Sequence, residues 1–298
     1  LLGFDGLVES TFDAIAGGDL LAEVAGIVAM AATELTRLIA DLSHWARDDV
    51  GTMAPSDAYV HRHDGLPQRR DPLVLDHLRV RLLQISSVPQ RLLSLLTGRP
   101  MLGGEATAFA AVVLVTDQLI EAQAAFRLIG TMLETAEVDR ALFAHRSNRG
   151  FATSSELTDL LSIDFEMDRD EAVALVERIV VEATEAGGEA TTLRTEQIDE
   201  IALRVRGQEV GIEPEMLAKV LSPKRFVERR DHPGGPAPSA VRQSLEREAF
   251  AVRRDEEWLR AKRDGLAAAA ESLRSRADEI ASDPDAVIRR RGRIKSAE

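Results

Sequence analysis

Apolar residues return every three to four positions through most of this chain, the spacing of one face of a helix. From about residue 9 to 46, Leu20, Leu21, Val24, Ile27, Val28, Leu35, Leu38, Ile39 and Leu42 recur at that spacing and predict one long amphipathic helix. Gly17-Gly18 predicts a kink or break near its start. The period is lost over residues 48–71, which hold Gly51, Pro55, Gly65 and Pro67 and read as a long loop. Loops of that length in compact domains are commonly functional. Pro72 suits the first turn of a second helix. Leu75, Leu78, Leu82, Ile85, Leu92 and Leu96 carry its apolar face to about residue 97, with a bend expected at Pro89.

A turn over Thr97–Gly104 leads into a third long helix, about 105–135, that is apolar nearly all round. Such a helix must be surrounded, and three long helices supply too few neighbours. The pattern therefore predicts a bundle completed by other copies of the chain. After Gly150 the texture changes to short helices: one opened by Thr153-Ser154-Ser155-Glu156, then 169–186, 195–206 and 214–220. A turn-rich connector, Val227–Pro238, precedes a long charged helix from Ser239 to about 281. No segment reads as a strand. The predicted division is 1–146, a helical bundle with the loop 51–72, and 147–298, a smaller helical domain.

Composition agrees. The 298 residues are 45% hydrophobic and 29% charged, with aromatics at only 4%, which favours an all-α soluble fold built on aliphatic side chains. A net charge of -13 repels phosphate backbones, so nucleic acid is not an expected partner. The basic run 289–295 reads as a solvated terminus. The absence of cysteine excludes disulfides, thiolate metal sites and a cysteine nucleophile. The apolar run Ala106–Val115 is too short to span a bilayer, no signal peptide is visible, and a cytoplasmic location is expected.

Four blocks give the chain a family resemblance. They are Leu1-Leu2-Gly3-Phe4-Asp5-Gly6 with Asp13-Ala14; residues 65–79; Gly150-Phe151-Ala152-Thr153 with Glu156-Leu157-Thr158-Asp159; and Pro233-Gly234-Gly235-Pro236-Ala237-Pro238 with Val241. In order and spacing they resemble the argininosuccinate lyase branch of the fumarase/aspartase superfamily. Residues 65–79 are similar to its G-S-S-x-M-P-x-K-x-N-P catalytic loop and the helix that follows. The resemblance implies a long-helix bundle that assembles as a homotetramer, with each active site built from three subunits. It also implies that these residues correspond to the second part of the central domain plus the C-terminal domain. The family's N-terminal domain, and the central segment carrying its catalytic histidine and adjacent threonine, find no counterpart here.

The chemistry implied is β-elimination from a succinyl-amine, a small carboxylated substrate, with no metal or other cofactor. The family's loop serine is held to be the base, and its Lys and Asn position the anionic substrate. Aligned on Pro67, the serine pair falls on His63 and Asp64, the Lys on Arg69 and the Asn on Asp71, while Gln68 and Arg70 are kept. His63 is then the candidate base, since imidazole is suited to proton transfer near neutrality. Gln68, Arg69, Arg70 and Asp71 are the candidate substrate-binding positions. Asp71 brings negative charge to the place of a carboxylated substrate. Gly103 and Ala108 stand where the family carries a Tyr and a Gln that grip substrate. His61-Arg62-His63-Asp64 also has the spacing of some metal sites, but no matching ligand set accompanies it. His77 reads as structural. Two readings carry forward: a divergent carbon–nitrogen lyase with altered substrate, or a pseudoenzyme that keeps the scaffold. An unrelated helical binding module fits the ordered blocks less well.

Overall fold

A computed structural model describes residues 6–100 and 103–282, and of Pro67, Gln68 and Arg69 only the backbone. The block at Leu1–Asp5, the positions Met101 and Leu102, and the basic run 289–295 lie outside the described residues. The helices in chain order are α1 (Thr11–Ala16), α2 (Asp19–Trp45), α3 (Leu73–Ser86), α4 (Val88–Leu96), α5 (Glu105–Thr135), α6 (Arg140–Ser147), α7 (Ser154–Ile163), α8 (Arg169–Glu185), α9 (Thr195–Arg206), α10 (Pro214–Val220), α11 (Pro223–Glu228) and α12 (Pro238–Ser282). The chain is all-α in class, and its contacts divide it within α10: Ser10–Leu217 form one unit, and residues 218–282 with 6–9 belong to the other.

Both predicted interruptions are present. The chain breaks at Gly17-Gly18 between α1 and α2, and again before Pro89 between α3 and α4. The three long elements α2, α3–α4 and α5 pack side by side. Ala25, Ala29 and Ala32 of α2 and Ala111, Ala122 and Ala125 of α5 are buried, and their small side chains let the helices approach closely. Leu75, Leu78, Leu82 and Leu92 fill the space between, each fully buried and each contributing about 1.5–3 kcal/mol by leaving water. Within the chain α5 buries only one stripe, Ala111, Val115, Gln118, Ala122, Ala125, Ile129 and Met132. Phe109, Val112 and Ile120 remain exposed. α5 is long and apolar enough to cross a membrane by length and composition alone; in this fold it packs against α2, α3 and α4.

Four short strands correct the expectation that none exists: β1 (Met53–Ala54), β2 (His61–His63), β3 (Leu66–Asp71) and β4 (Glu137–Val138). β2 and β3 form an antiparallel hairpin inside what the sequence presents as a loop. His61 to Leu66 are exposed or half-exposed, so the hairpin carries none of the in-out alternation that reveals a strand. Its turn is Asp64-Gly65, with Gly65 at φ +79, a backbone setting that glycine adopts without cost.

The hairpin region is fastened to the bundle end at several points. β1 pairs with β4 just beyond the end of α5. The buried Thr52 receives a bond from Asp139 N–H at 3.0 Å, and the Trp45 and Phe143 rings meet edge to face at 5.4 Å. Tyr59 Oη lies 3.3 Å from Thr131 Oγ1 on α5. A further core of Leu157, Leu161, Leu175, Ile179 and Ile198 joins α7, α8 and α9. In the unit beginning at residue 218, Gly235 approaches the Arg230 carbonyl so closely that a Cβ would sit 2.1 Å from that oxygen. The Pro-Gly-Gly block is thus a tight turn with no room for a side chain, followed by Pro238 at the first position of α12.

Candidate functional site

β3 runs antiparallel to β2 with His61 opposite Asp71 and Arg62 opposite Arg70, and an irregularity between Arg62 and His63 shifts the register. His63, two residues on from His61, reaches diagonally across to Asp71. His63 Nε2 lies 2.7 Å from Asp71 Oδ2, both groups part-buried. The His61 ring stands against the His63 ring at 85° with 4.6 Å between centroids. His63 is therefore held on one side by a carboxylate and on another by an imidazole. With the Nε2 proton given to Asp71, Nδ1 is left as an acceptor.

The second cluster is made by arginines. Arg62 and Arg70, opposite one another on the hairpin, both donate to Asp57, which sits in the short turn Asp57–Tyr59 before β2. Arg70 also lines a cleft of about 460 Å³ with Arg47, Asp48, Gly51, Met53 and Pro72. Arg47 there is paired with Asp49 at 2.8 Å. The hydrogen bond from Arg47 holds the Asp49 carboxyl below its ordinary value, and Asp49 in turn raises the Arg47 guanidinium.

Of the residues expected from the sequence, His63 and Asp71 are brought into direct contact. Arg70 lies on the same hairpin, facing the cleft and Asp57. Gln68 and Arg69 belong to β3, and their side chains lie outside the described ones. Asp71, expected beside substrate, lies against His63. Asp57 and Arg62 are not among the substrate-contact positions expected from the sequence. The Asp64-Gly65 pair signals only the turn that sets His63 opposite Leu66; Arg62 comes opposite Arg70, and His61 opposite Asp71, through the irregularity between Arg62 and His63, which no residue pattern announces. His77, expected to be structural, is exposed on α3. Gly103 and Gly104 both take left-handed backbone, at φ +90 and +77, so the segment before α5 is a glycine turn.

The long-helix bundle is the architecture shared with solved enzymes of the fumarase/aspartase superfamily. No protein-family model matches the chain. Argininosuccinate lyase of Methanothermobacter thermautotrophicus is 26% identical over 250 residues, 83% of this chain and 52% of its own length. The Haloarcula marismortui enzyme of the same name is 29% identical over 287 residues, 93% of this chain and 55% of its own. EDDS lyase in complex with formate superposes with a TM-score of 0.83 at 25% identity, over 94% of this chain and 55% of that one. The 3-carboxy-cis,cis-muconate lactonizing enzyme of Pseudomonas putida shares the fold at a TM-score of 0.57 and 17% identity, over 74% of this chain and 46% of its own. The chain is a divergent, argininosuccinate lyase-like member of the fumarase/aspartase superfamily. It spans about half the length of the curated relatives it matches.

Proposed function

We propose that the chain is part of a carbon–nitrogen lyase that eliminates an amine from a succinyl-amine or similar N-substituted aspartate. The class is supported by relatives named argininosuccinate lyase and by the EDDS lyase fold. The observation that favours retained chemistry is the 2.7 Å contact between His63 Nε2 and Asp71 Oδ2. It provides an oriented base where the resemblance places the family's serine. His63 Nδ1 takes the proton next to a substrate carboxylate. The C–H electron pair becomes the new C=C bond, and the C–N bond breaks with its pair going to nitrogen. The departing nitrogen takes a proton from a group outside the residues described. Positioned proton transfer of this kind contributes about 10²–10⁴-fold. Arg70, and Arg69 and Gln68 beside it on β3, supply the carboxylate contacts; Arg70 exchanges Asp57 for substrate.

The proposed assembly is a cytoplasmic homotetramer. Exposed Phe109, Val112 and Ile120 on α5, with Ile27 and Met30 on α2, give it an apolar contact face. The division at 146–147 is the proposed functional one, with the hairpin and long helices before it and α7–α9 after it. A pseudoenzyme is the second reading, favoured by Gly103 and Ala108, which offer no polar side chain to a substrate. A panel of N-substituted aspartates offered to the full-length assembly separates the two. Release of an unsaturated dicarboxylate supports the lyase, and no turnover across the panel by an intact oligomer supports the scaffold.

A further inference from the structure

α12 is 45 residues long, and beyond its first turn its residues are exposed, apart from the half-buried Ser244, Ala251, Ala269 and Glu279. One row of it is apolar at an unbroken seven-residue interval: Leu245, Val252, Leu259, Leu266, Leu273 and Ile280. These six side chains are 43–64% exposed. An undistorted helix turns every 3.6 residues, so a seven-residue row drifts around its surface by about 20° per repeat. The row stays in one seam only where two helices supercoil around each other. A helix packed on a globular face has no need of that regularity.

We infer that this row is a coiled-coil seam and that its occupant is α12 of a second copy, running antiparallel. Length is the first argument. The row extends over about 54 Å at 1.5 Å per residue. The next longest described helix, α5, has 31 residues and is too short to cover a row running from 245 to 280.

Charge is the second argument. The companion seam positions are Arg242, Ala249, Glu256, Arg263, Ala270 and Ala277. A parallel pair in register stacks Glu256 on Glu256 and Arg263 on Arg263 in the seam, both repulsive. An antiparallel pair centred near Ala261 matches Leu245 with Ala277, Val252 with Ala270, and Leu259 with Arg263 of the second copy. In the same register Leu273 faces Ala249, Leu266 faces Glu256 and Ile280 faces Arg242, so three layers pair an apolar residue with alanine and three with the stem of a charged side chain. Glu256 lies one layer from Arg263 of the other helix. On the flanks Glu246 meets Arg274 and Glu248 meets Arg276, each twice by symmetry. Arg260 and Lys262 meet their own counterparts near the axis, two like-charge contacts against four favourable flank pairs. The arrangement is self-complementary, as a two-fold interface must be.

The chain has no cysteine, so single introduced thiols report the geometry without background. Val252 is exposed and Ala270 lies on the same open helix, so neither substitution disturbs a core. Full-length Val252→Cys and Ala270→Cys chains carrying tags of different size are mixed, allowed to exchange and oxidised. The inference expects a disulfide between the two different chains, little from either alone, and its loss when Leu259→Asp and Leu266→Asp are added to both. Cross-links in each variant alone, at the level of the mixture, would mean parallel pairing and overturn the antiparallel seam. No cross-link in the mixture would overturn the pairing altogether. Circular dichroism of the aspartate variants confirms that α12 remains helical, so that loss of the disulfide reads as loss of contact.

Discussion

Gln118, buried in the middle of α5, donates from Nε2 to the carbonyl of Ile85 at 3.0 Å. That carbonyl is the one Pro89 leaves without its helical donor, because proline four residues on has no N–H. The same amide also reaches Ala25 of α2 at 3.1 Å. One polar side chain therefore satisfies the break between α3 and α4 and ties all three long elements together. Gln118→Leu leaves the Ile85 carbonyl buried and unpaired, and is expected to cost about 1–3 kcal/mol in chemical denaturation. Pro89→Ala restores the helical donor. In that background the cost of Gln118→Leu shrinks if the carbonyl is the reason for it. An unchanged cost in the double-mutant cycle removes this account.

Acid sensitivity is expected from Glu182 on α8. The hydrogen bond from Arg204 on α9 is the largest influence lowering its carboxyl, and Arg178 adds to it against partial desolvation. A carboxyl lowered in the folded state stabilises the fold above its unfolded value, about 4.5, and loses that contribution as pH falls through the folded value. Thermal midpoints of the wild type should therefore drop more steeply below pH 4.5 than those of Glu182→Gln. Parallel curves for the two proteins contradict the linkage.

Asp71→Asn keeps the shape beside His63 and removes the charge. Without the carboxylate, the ring is no longer held in the tautomer that exposes Nδ1, and an imidazolium formed in the reaction loses its counter-charge. Turnover should fall by about 10²-fold or more, with a smaller change in KM. A change confined to KM would return Asp71 to the substrate-binding role expected from the sequence alone.

α3–α4 was legible because Leu75, Leu78, Leu82, Ile85 and Leu92 are a buried row at helical spacing, and α2 and α5 were legible as long apolar-rich runs, although alanines fill much of their buried rows. Both breaks were legible because Gly17-Gly18 and Pro89 act locally. Gln118 was not, since a buried amide inside an apolar run looks like a lapse in the pattern until Ile85 and Ala25 are seen beside it. The hairpin was hidden for the opposite reason. His61, Arg62, Arg70 and Asp71 are polar on both faces, so no alternation marks them, and the contact between His63 and Asp71 exists only once Asp64-Gly65 folds the segment back. Two of the family blocks have a backbone reason. Gly235 is required by a backbone approach that excludes any Cβ. The buried Phe151 sits at φ +55 directly after Gly150 at φ +73, an uncommon setting for an aromatic residue.

The measurement that bears most directly on the lyase is release of the unsaturated acid from an N-substituted aspartate by the full-length assembly, wild type against His63→Ala, at equal oligomeric state. With His63 as the base, the wild type turns substrate over and the alanine variant loses about 10²–10⁴-fold in kcat. Equal rates in the two proteins would contradict it and leave the His63–Asp71 pair a structural feature of the hairpin.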